Sequence, residues 1–357
     1  MPGQLGLEPT PDAYVANMVA VFREVWRVLR PDGTVWLNLG DSFAGGNIGG
    51  FRPGSGRADG VVDERGQRNR NGNGCPPGLK PKDLVGIPWR VALALQADGW
   101  WLRSDIVWAK GNPMPESVTD RPTKAHEYLF LLAKSARYFY DNEAIKEPCG
   151  PFHPCGPGSR ADNDRDPAHG TRKQDAIGKQ TYVGFNDRWR ENPTSGRNKR
   201  SVWEIPTSPF PEAHFATFPP ALVEPCIKAG TSERGCCPTC GAPWQRVVEK
   251  ERKPRGDAFG RKAVGGYDHG QAGSPYMQTV ASTTLGWQPT CGCPAEGEPQ
   301  PCVVLDPFGG AGTTMLVADR LGRHGVGVEL SGEYTRMARR RCYEDAPLLA
   351  YATEAAS

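Results

Sequence analysis

The stretch VVLDPFGGAGTT, residues 303–314, decides how this chain folds. Its first four residues read as a buried strand, Asp306 stands at the strand's carboxyl end, and three glycines precede the helical run TTMLVADRLG. Glycines at such a turn let the backbone approach a ligand, and the helix that follows presents unpaired N–H groups. A second strand is read at GVGVEL, residues 325–330, which places Glu329 23 residues after Asp306. In a β-α-β unit an acidic side chain at that place can accept hydrogen bonds from both ribose hydroxyls. The glycine turn alone would suit a mononucleotide or a dinucleotide equally well. Asp306 narrows the choice, because a carboxylate at the start of the turn repels phosphate and suits an α-amino group. A ligand carrying both an amino acid and a nucleoside is S-adenosylmethionine, and that is the cofactor expected.

Such a turn usually opens a nucleotide-binding domain, yet only 43 of the 357 residues follow it. The residues in front of it alternate between helix and strand. Val15, Met18, Val19, Phe22, Val25, Trp26 and Leu29 recur at helical spacing between a Thr10-Pro11 start and a Pro31-Asp32-Gly33 stop. TVWLNL (34–39) reads as a buried strand that delivers Gly40, Asp41 and Ser42 to a crevice at its carboxyl end. LVGIPWRVALALQADG (84–99) reads as a helix that tolerates Pro88 near its first turn, and WLRSDIVW (101–108) and HEYLFLLAK (126–134) read as strands. Pattern returns at SVWEIPTSP and at HFATFPPALVEPCIKAG, a loop entering a helix whose early prolines suit its first turn.

Two stretches interrupt this rhythm. Residues 44–83 contain 11 glycines and read as a mobile loop. Residues 151–200 carry 10 Lys or Arg against 6 Asp or Glu, interleaved with Tyr182, Phe185 and Trp189. That composition fits a solvated insertion, and equally a nucleic-acid surface on which cations neutralise phosphates and aromatics stack on bases. The net charge is only +3, so any contact with nucleic acid rests on local patches and not on a global field. No apolar run approaches the length of a membrane span and no secretory signal is read at the N-terminus, so a soluble, cytoplasmic protein without a membrane partner is expected.

The chain has 11 cysteines, several of them clustered. GCCPTCGAPW (235–244) holds Cys237 and Cys240 in a C-P-x-C-G knuckle, whose glycine turn frees backbone N–H groups to point at thiolates. PTCGCPA (289–295) supplies Cys291 and Cys293. Together they make a candidate four-sulfur zinc site, with Cys236 able to stand in for Cys237. Four thiolates leave no open position on the metal, so its role would be structural.

VLDPFGGAGTT resembles the cofactor loop of the amino-group DNA methyltransferases, with Ala311 where the family usually has serine. HFATFP (214–219) is similar to the segment that precedes that loop and packs on the methionine end of the cofactor. VWLNLGDSFAGG, LRSDIVWAKGNPMPESVTDRPTKAHEYLFLLAKSARYFYD and SVWEIP resemble bacterial and phage members whose motif order is permuted. The family methylates N6 of adenine or N4 of cytosine. The resemblance implies an α/β, Rossmann-like class I methyltransferase sheet in permuted order, with polar insertions and a small zinc-ribbon-like insertion.

In that arrangement residues 1–150 form the catalytic half, 151–200 the target-recognition insertion, 201–234 a return to the core, 235–300 the zinc-binding insertion and 301–357 the cofactor half. Permutation explains why the glycine turn comes late. Asp306 is then expected to hold the methionine amino group, Gly310 and Gly312 to admit the cofactor, Thr313 to meet its carboxylate and Glu329 its ribose. His214, Phe218 and Phe308 are expected to line the same pocket. Double-stranded DNA is the implied substrate and a cognate restriction endonuclease an implied partner.

The family's acceptor motif is Asp, Asn or Ser followed by Pro-Pro and an aromatic residue. An exocyclic amine conjugated to a base is a poor nucleophile, so oxygens must accept its protons while the aromatic stacks on the extruded base. The Pro-Pro pairs of this chain, in CPPG (75–78) and FPPA (218–221), have neither the acceptor nor the aromatic. The motif is expected upstream of Met1, on a strand lying between the glycine-turn strand and the strand at 34–39. LNLGDS is most similar to members with a Ser-Pro-Pro-Tyr version, which favours cytosine N4.

Overall fold

The computed structural model describes residues 4–45, 75, 78–147, 196–208, 210, 212, 217–254, 277–294 and 297–346. The loop expected at 44–83 and the insertion expected at 151–200 lie mostly outside the described residues. The chain divides into two compact units, one of residues 1–141, 200–243 and 293–357, the other of residues 142–199 and 244–292.

The first unit begins with α1 (Pro11–Val28), whose entry is set by Thr10: its hydroxyl accepts from Ala13 N at 3.2 Å and proline follows at the first helical position. Strand β1 (Thr34–Leu39) occupies the residues that the sequence pattern predicts. Helix α2 (Ile87–Ala97) is shorter than the expected 84–99, because Gly86 adopts a left-handed conformation (φ 77) at its start and Gly99 (φ 112) follows its end. Strands β2 (Trp101–Ala109) and β3 (His126–Ala133) follow, then β4 (Val202–Glu204) and α3 (Pro220–Gly230).

These strands form a mixed sheet in the order β1-β3-β2-β4, with β3 antiparallel to both neighbours and β4 parallel to β2. The continuous apolar run of HEYLFLLA has its cause here: β3 is central and buried on both faces. Phe130 and Leu132 point into a core with Met18 and Phe22 of α1 and Val91 and Leu95 of α2. Leu129, from the other face, joins Ile106, Trp108, Trp203 and Leu222. Phe130 is fully buried, so truncating it to alanine would cost about 3–5 kcal/mol.

The remainder of this unit is β7 (Val303–Asp306), α4 (Thr313–Arg320), β8 (His324–Gly327) and α5 (Gly332–Asp345), after the hairpin β5 (Trp244–Pro254) and β6 (Met277–Pro289) of the second unit. Strands β7 and β8 pair in parallel, with Val303 opposite His324 and Asp306 opposite Gly327. Val223 and Ile227 of α3 pack on Val317 and Ala318 of α4, with Val304 of β7 against the same cluster. Within the described residues β1 pairs only with β3 and β7 only with β8, so each keeps one edge without a partner strand.

The second unit contains the β5–β6 antiparallel hairpin and a short 3-10 turn at Glu143–Ile145. Lys146 forms an ion pair with Glu143 at 2.6 Å, and Ser282 Oγ donates to Glu143 at 2.8 Å while Lys146 Nζ donates to Ser282 at 3.0 Å. Glu147 and Arg197 exchange backbone hydrogen bonds at 2.9 Å, and their side chains pair at 3.0 Å. No helix among the described residues is long and apolar enough to cross a membrane.

Candidate functional site

Backbone hydrogen bonds close the glycine turn. Val328 N donates to Asp306 O at 2.9 Å, Gly309 N to Val328 O at 2.8 Å, and Gly312 N to Gly309 O at 2.9 Å. Strand β8 ends at Gly327, not at the expected residue 330, because its partner β7 ends at Asp306. Glu329 therefore sits two residues beyond the strand and curls back over the turn.

Both expected carboxylates bind this turn. Asp306 accepts from Phe308 N (2.9 Å) and from the Thr314 hydroxyl (2.6 Å). Glu329 accepts from Gly310 N (2.8 Å) and Ser331 N (2.8 Å). A carboxylate has about four lone-pair sites, so each keeps about two for a ligand. The fixed N–H donors also orient the oxygens before any ligand arrives.

The glycines divide the work. Gly310 (φ +48) faces open space: an added Cβ would meet only Phe308 O, at 3.8 Å. Gly312 (φ +81) caps α4, and a Cβ there would lie 2.8 Å from Ala338 Cβ of α5. Gly325 and Gly327 let Met315 of α4 lie directly on β8, since a Cβ on either would come within 2.8 Å of it. The Phe308 ring is exposed beside the turn.

Thr313 is nearly fully buried, and its hydroxyl accepts from Arg341 Nη1 at 2.9 Å. The same guanidinium donates to Ala311 O at 3.2 Å and lies 4.4 Å over the Phe210 ring. Burial is the largest influence on Arg341 and lowers its pKa from the ordinary arginine value. Sequence reading missed this residue, whose only signal is a place among three arginines at 339–341 on an otherwise polar helix. Glu212 forms an ion pair with Arg340 and so ties the segment before α3 to α5. Phe218 is half-buried between the two apolar clusters on either side of α3. His214 lies outside the described residues.

The carboxyl ends of β1 and β2 gather a second polar group that sequence reading named only in part. Asp41 Oδ1 accepts from Gly86 N (2.9 Å) and Ile87 N (3.1 Å), fixing the start of α2. Asn38 Nδ2 donates to Glu127 Oε2 at 3.2 Å, and Lys110 Nζ bridges Glu127 Oε1 at 2.5 Å while lying 4.6 Å over the Trp108 ring. Burial lowers the pKa of Lys124, against the opposing pull of Asp41 and Glu127. The Ser42 hydroxyl is buried with no hydrogen-bond partner among the described residues.

The four expected metal ligands come together: one sulfur each from Cys237, Cys240, Cys291 and Cys293, all within 4.8 Å of one another. Cys236 does not belong to this group. Its sulfur is directed at the carbonyls of Gln300 (3.3 Å) and Pro301 (3.7 Å).

A family model described as DNA methylase, covering N6 and N4 methyltransferases, matches residues 3–237 and 300–340. Type II methyltransferase M.XycI of Xanthomonas campestris pv. cyanopsidis is 44% identical over 228 residues, 64% of this chain and 60% of that protein. Type II methyltransferase M.SmaI of Serratia marcescens is 34% identical over 339 residues, 95% of this chain and 77% of that protein. The chain thus spans about 60% of the length of M.XycI and about three quarters of M.SmaI. Among solved structures, the cytosine-N4-specific PvuII DNA methyltransferase aligns with a TM-score of 0.47 at 13% identity, over 96% of this chain and 76% of that one. With a family match over most of its length, on both sides of the cysteine-bearing insertion, the chain belongs to the N6/N4 DNA methylase family.

Proposed function

We propose that the protein transfers a methyl group from S-adenosylmethionine to an exocyclic amino nitrogen of double-stranded DNA, with N4 of cytosine preferred to N6 of adenine. The observation that carries this reading is the pair of pre-oriented carboxylates, Asp306 and Glu329, on either side of a glycine turn open at Gly310. Asp306 would take the cofactor's α-ammonium and Glu329 its ribose hydroxyls, while Phe308 offers an exposed apolar face beside them. Thr313, being held by Arg341, would act by fixing the start of α4 and not by direct contact. Preference for cytosine rests on the likeness of LNLGDS to cytosine-N4 members.

Transfer also needs an acceptor for the amine's protons and an aromatic for the base. In the family these arrive on one strand beside the cofactor strand. The edges of β7 and β1 that have no partner strand among the described residues would each give such a strand a backbone partner. The names of M.XycI and M.SmaI fit a restriction-modification setting, with a cognate endonuclease as partner. Incubating the native gene product with methyl-labelled S-adenosylmethionine and unmethylated duplex DNA, RNA or protein tests the reading. Label is expected on duplex DNA alone, whereas cofactor binding without transfer to any of them would favour a DNA- and cofactor-binding protein without catalysis.

A further inference from the structure

We propose that Cys237, Cys240, Cys291 and Cys293 hold one zinc ion that closes the root of the β5–β6 hairpin. Their sulfurs lie within 4.8 Å of one another. A tetrahedral zinc with Zn–S bonds of about 2.3 Å sets its sulfurs about 3.8 Å apart, so a small contraction completes the site. Half of it is already shaped by backbone. Cys237 N donates to Ala242 O and Gly241 N to Cys237 O, both at 2.8 Å, and Gly241 takes φ +71 to make that turn.

The surroundings suit an anionic metal centre. Four thiolates on a divalent ion carry a net charge of about −2, which a fixed cation nearby offsets. Arg30 occupies such a place: Nη1 donates to Cys240 O at 2.6 Å, Nε is held by Asp32 at 2.9 Å, and a Cβ on Gly241 would lie 3.1 Å from Nη1. Soft sulfur ligands in a tetrahedral set select zinc over hard cations.

The position of the cysteines explains why a metal is useful. The family match stops at residue 237 and resumes at 300, and the backbones of Cys236 and Gln300 join across that gap by hydrogen bonds of 2.7 and 2.9 Å. Between them the β5–β6 ribbon pairs with no third strand among the described residues. An isolated two-stranded hairpin is marginal in water. A metal ligated just before β5 and just after β6 would fasten both ends of it, and its binding free energy would add directly to the order of the hairpin. With four protein ligands the ion has no open position for substrate, so the site works independently of the glycine turn.

Metal analysis of protein purified under reducing conditions without chelators should find about one zinc per chain, falling below about 0.1 in Cys240→Ser and Cys291→Ser. Cys236→Ser should keep its zinc. Cys240→His should also keep it, because imidazole is a zinc ligand and Cys240 is exposed enough to accept the ring, which separates loss of a ligand from loss of the fold. Cobalt exchanged into the native protein should give the absorption of a tetrahedral thiolate site. Zinc absent from the native protein, iron in its place, or zinc retained in both serine variants would overturn the proposal.

Discussion

Replacing Asp306 with asparagine keeps the size of the side chain but removes its charge and one of its two acceptor oxygens. In the structure those oxygens hold Phe308 N at 2.9 Å and the Thr314 hydroxyl at 2.6 Å, so one bond of the turn is lost together with the attraction for an α-ammonium. Hydrogen bonds to charged groups contribute about 1.5–3 kcal/mol, and Asp306 is only partly buried. The expected loss of cofactor affinity is therefore about 1–3 kcal/mol, a rise in Kd of about 5- to 150-fold. Calorimetric titration with S-adenosylhomocysteine and 5′-methylthioadenosine isolates the cause, because both are neutral at sulfur and only the first carries the amino-acid end. Asp306→Asn should weaken S-adenosylhomocysteine and leave 5′-methylthioadenosine nearly unchanged, while Glu329→Gln, at the residue proposed to take the ribose, should weaken both. Equal losses for the two ligands in Asp306→Asn would refute the assignment to the amino group and leave Asp306 as a shaper of the turn.

The glycines and one exposed ion pair give further tests. Gly312→Ala should cost about 1–3 kcal/mol in urea unfolding, since a left-handed residue must then carry a Cβ 3.0 Å from the Ala338 backbone. Gly310→Ala should cost only about 1 kcal/mol of stability but should weaken cofactor binding, because its Cβ projects into the open face of the turn. The Arg23 guanidinium, hydrogen-bonded to Asp98 between α1 and the end of α2, lowers the Asp98 pKa from 3.8. A lowered carboxylate pKa stabilises the fold fully above the unfolded value and ceases to do so as pH falls through the folded one. Asp98→Asn should therefore be less stable than the parent at pH 6 and equal to it well below pH 3.8, and a stability gap that persists in acid would contradict this.

Much of this molecule can be read from its sequence where a single local signal dominates. TVWLNL lies between a Pro-Asp-Gly turn and a polar Gly-Asp-Ser exit, and β1 takes up those same residues. The cysteine knuckle and its C-x-C complement are legible because ligand spacing is local, and all four sulfurs converge. The β5–β6 hairpin is not legible: register shifts at Val247/Val248 and Glu251/Arg252 break the alternation that would mark a strand, and 22 residues separate the two strands. Glu329 is found by spacing, but its grip on Gly310 N depends on where β7 stops, which no local pattern reveals. Arg341 and the Asn38–Glu127–Lys110 group escape for the same reason, since their partners are distant in sequence.

Nucleoside analysis of duplex DNA incubated with methyl-labelled S-adenosylmethionine and the native gene product reports directly where the methyl group goes. Hydrolysis to nucleosides followed by mass spectrometry should place the label on an exocyclic amine, as N4-methylcytosine. N6-methyladenine would overturn the preference for cytosine while keeping the chemistry. Label at the ring carbon C5 of cytosine would contradict the account, because carbon methylation needs a covalent nucleophile and not the proton acceptor that the proposed reaction requires.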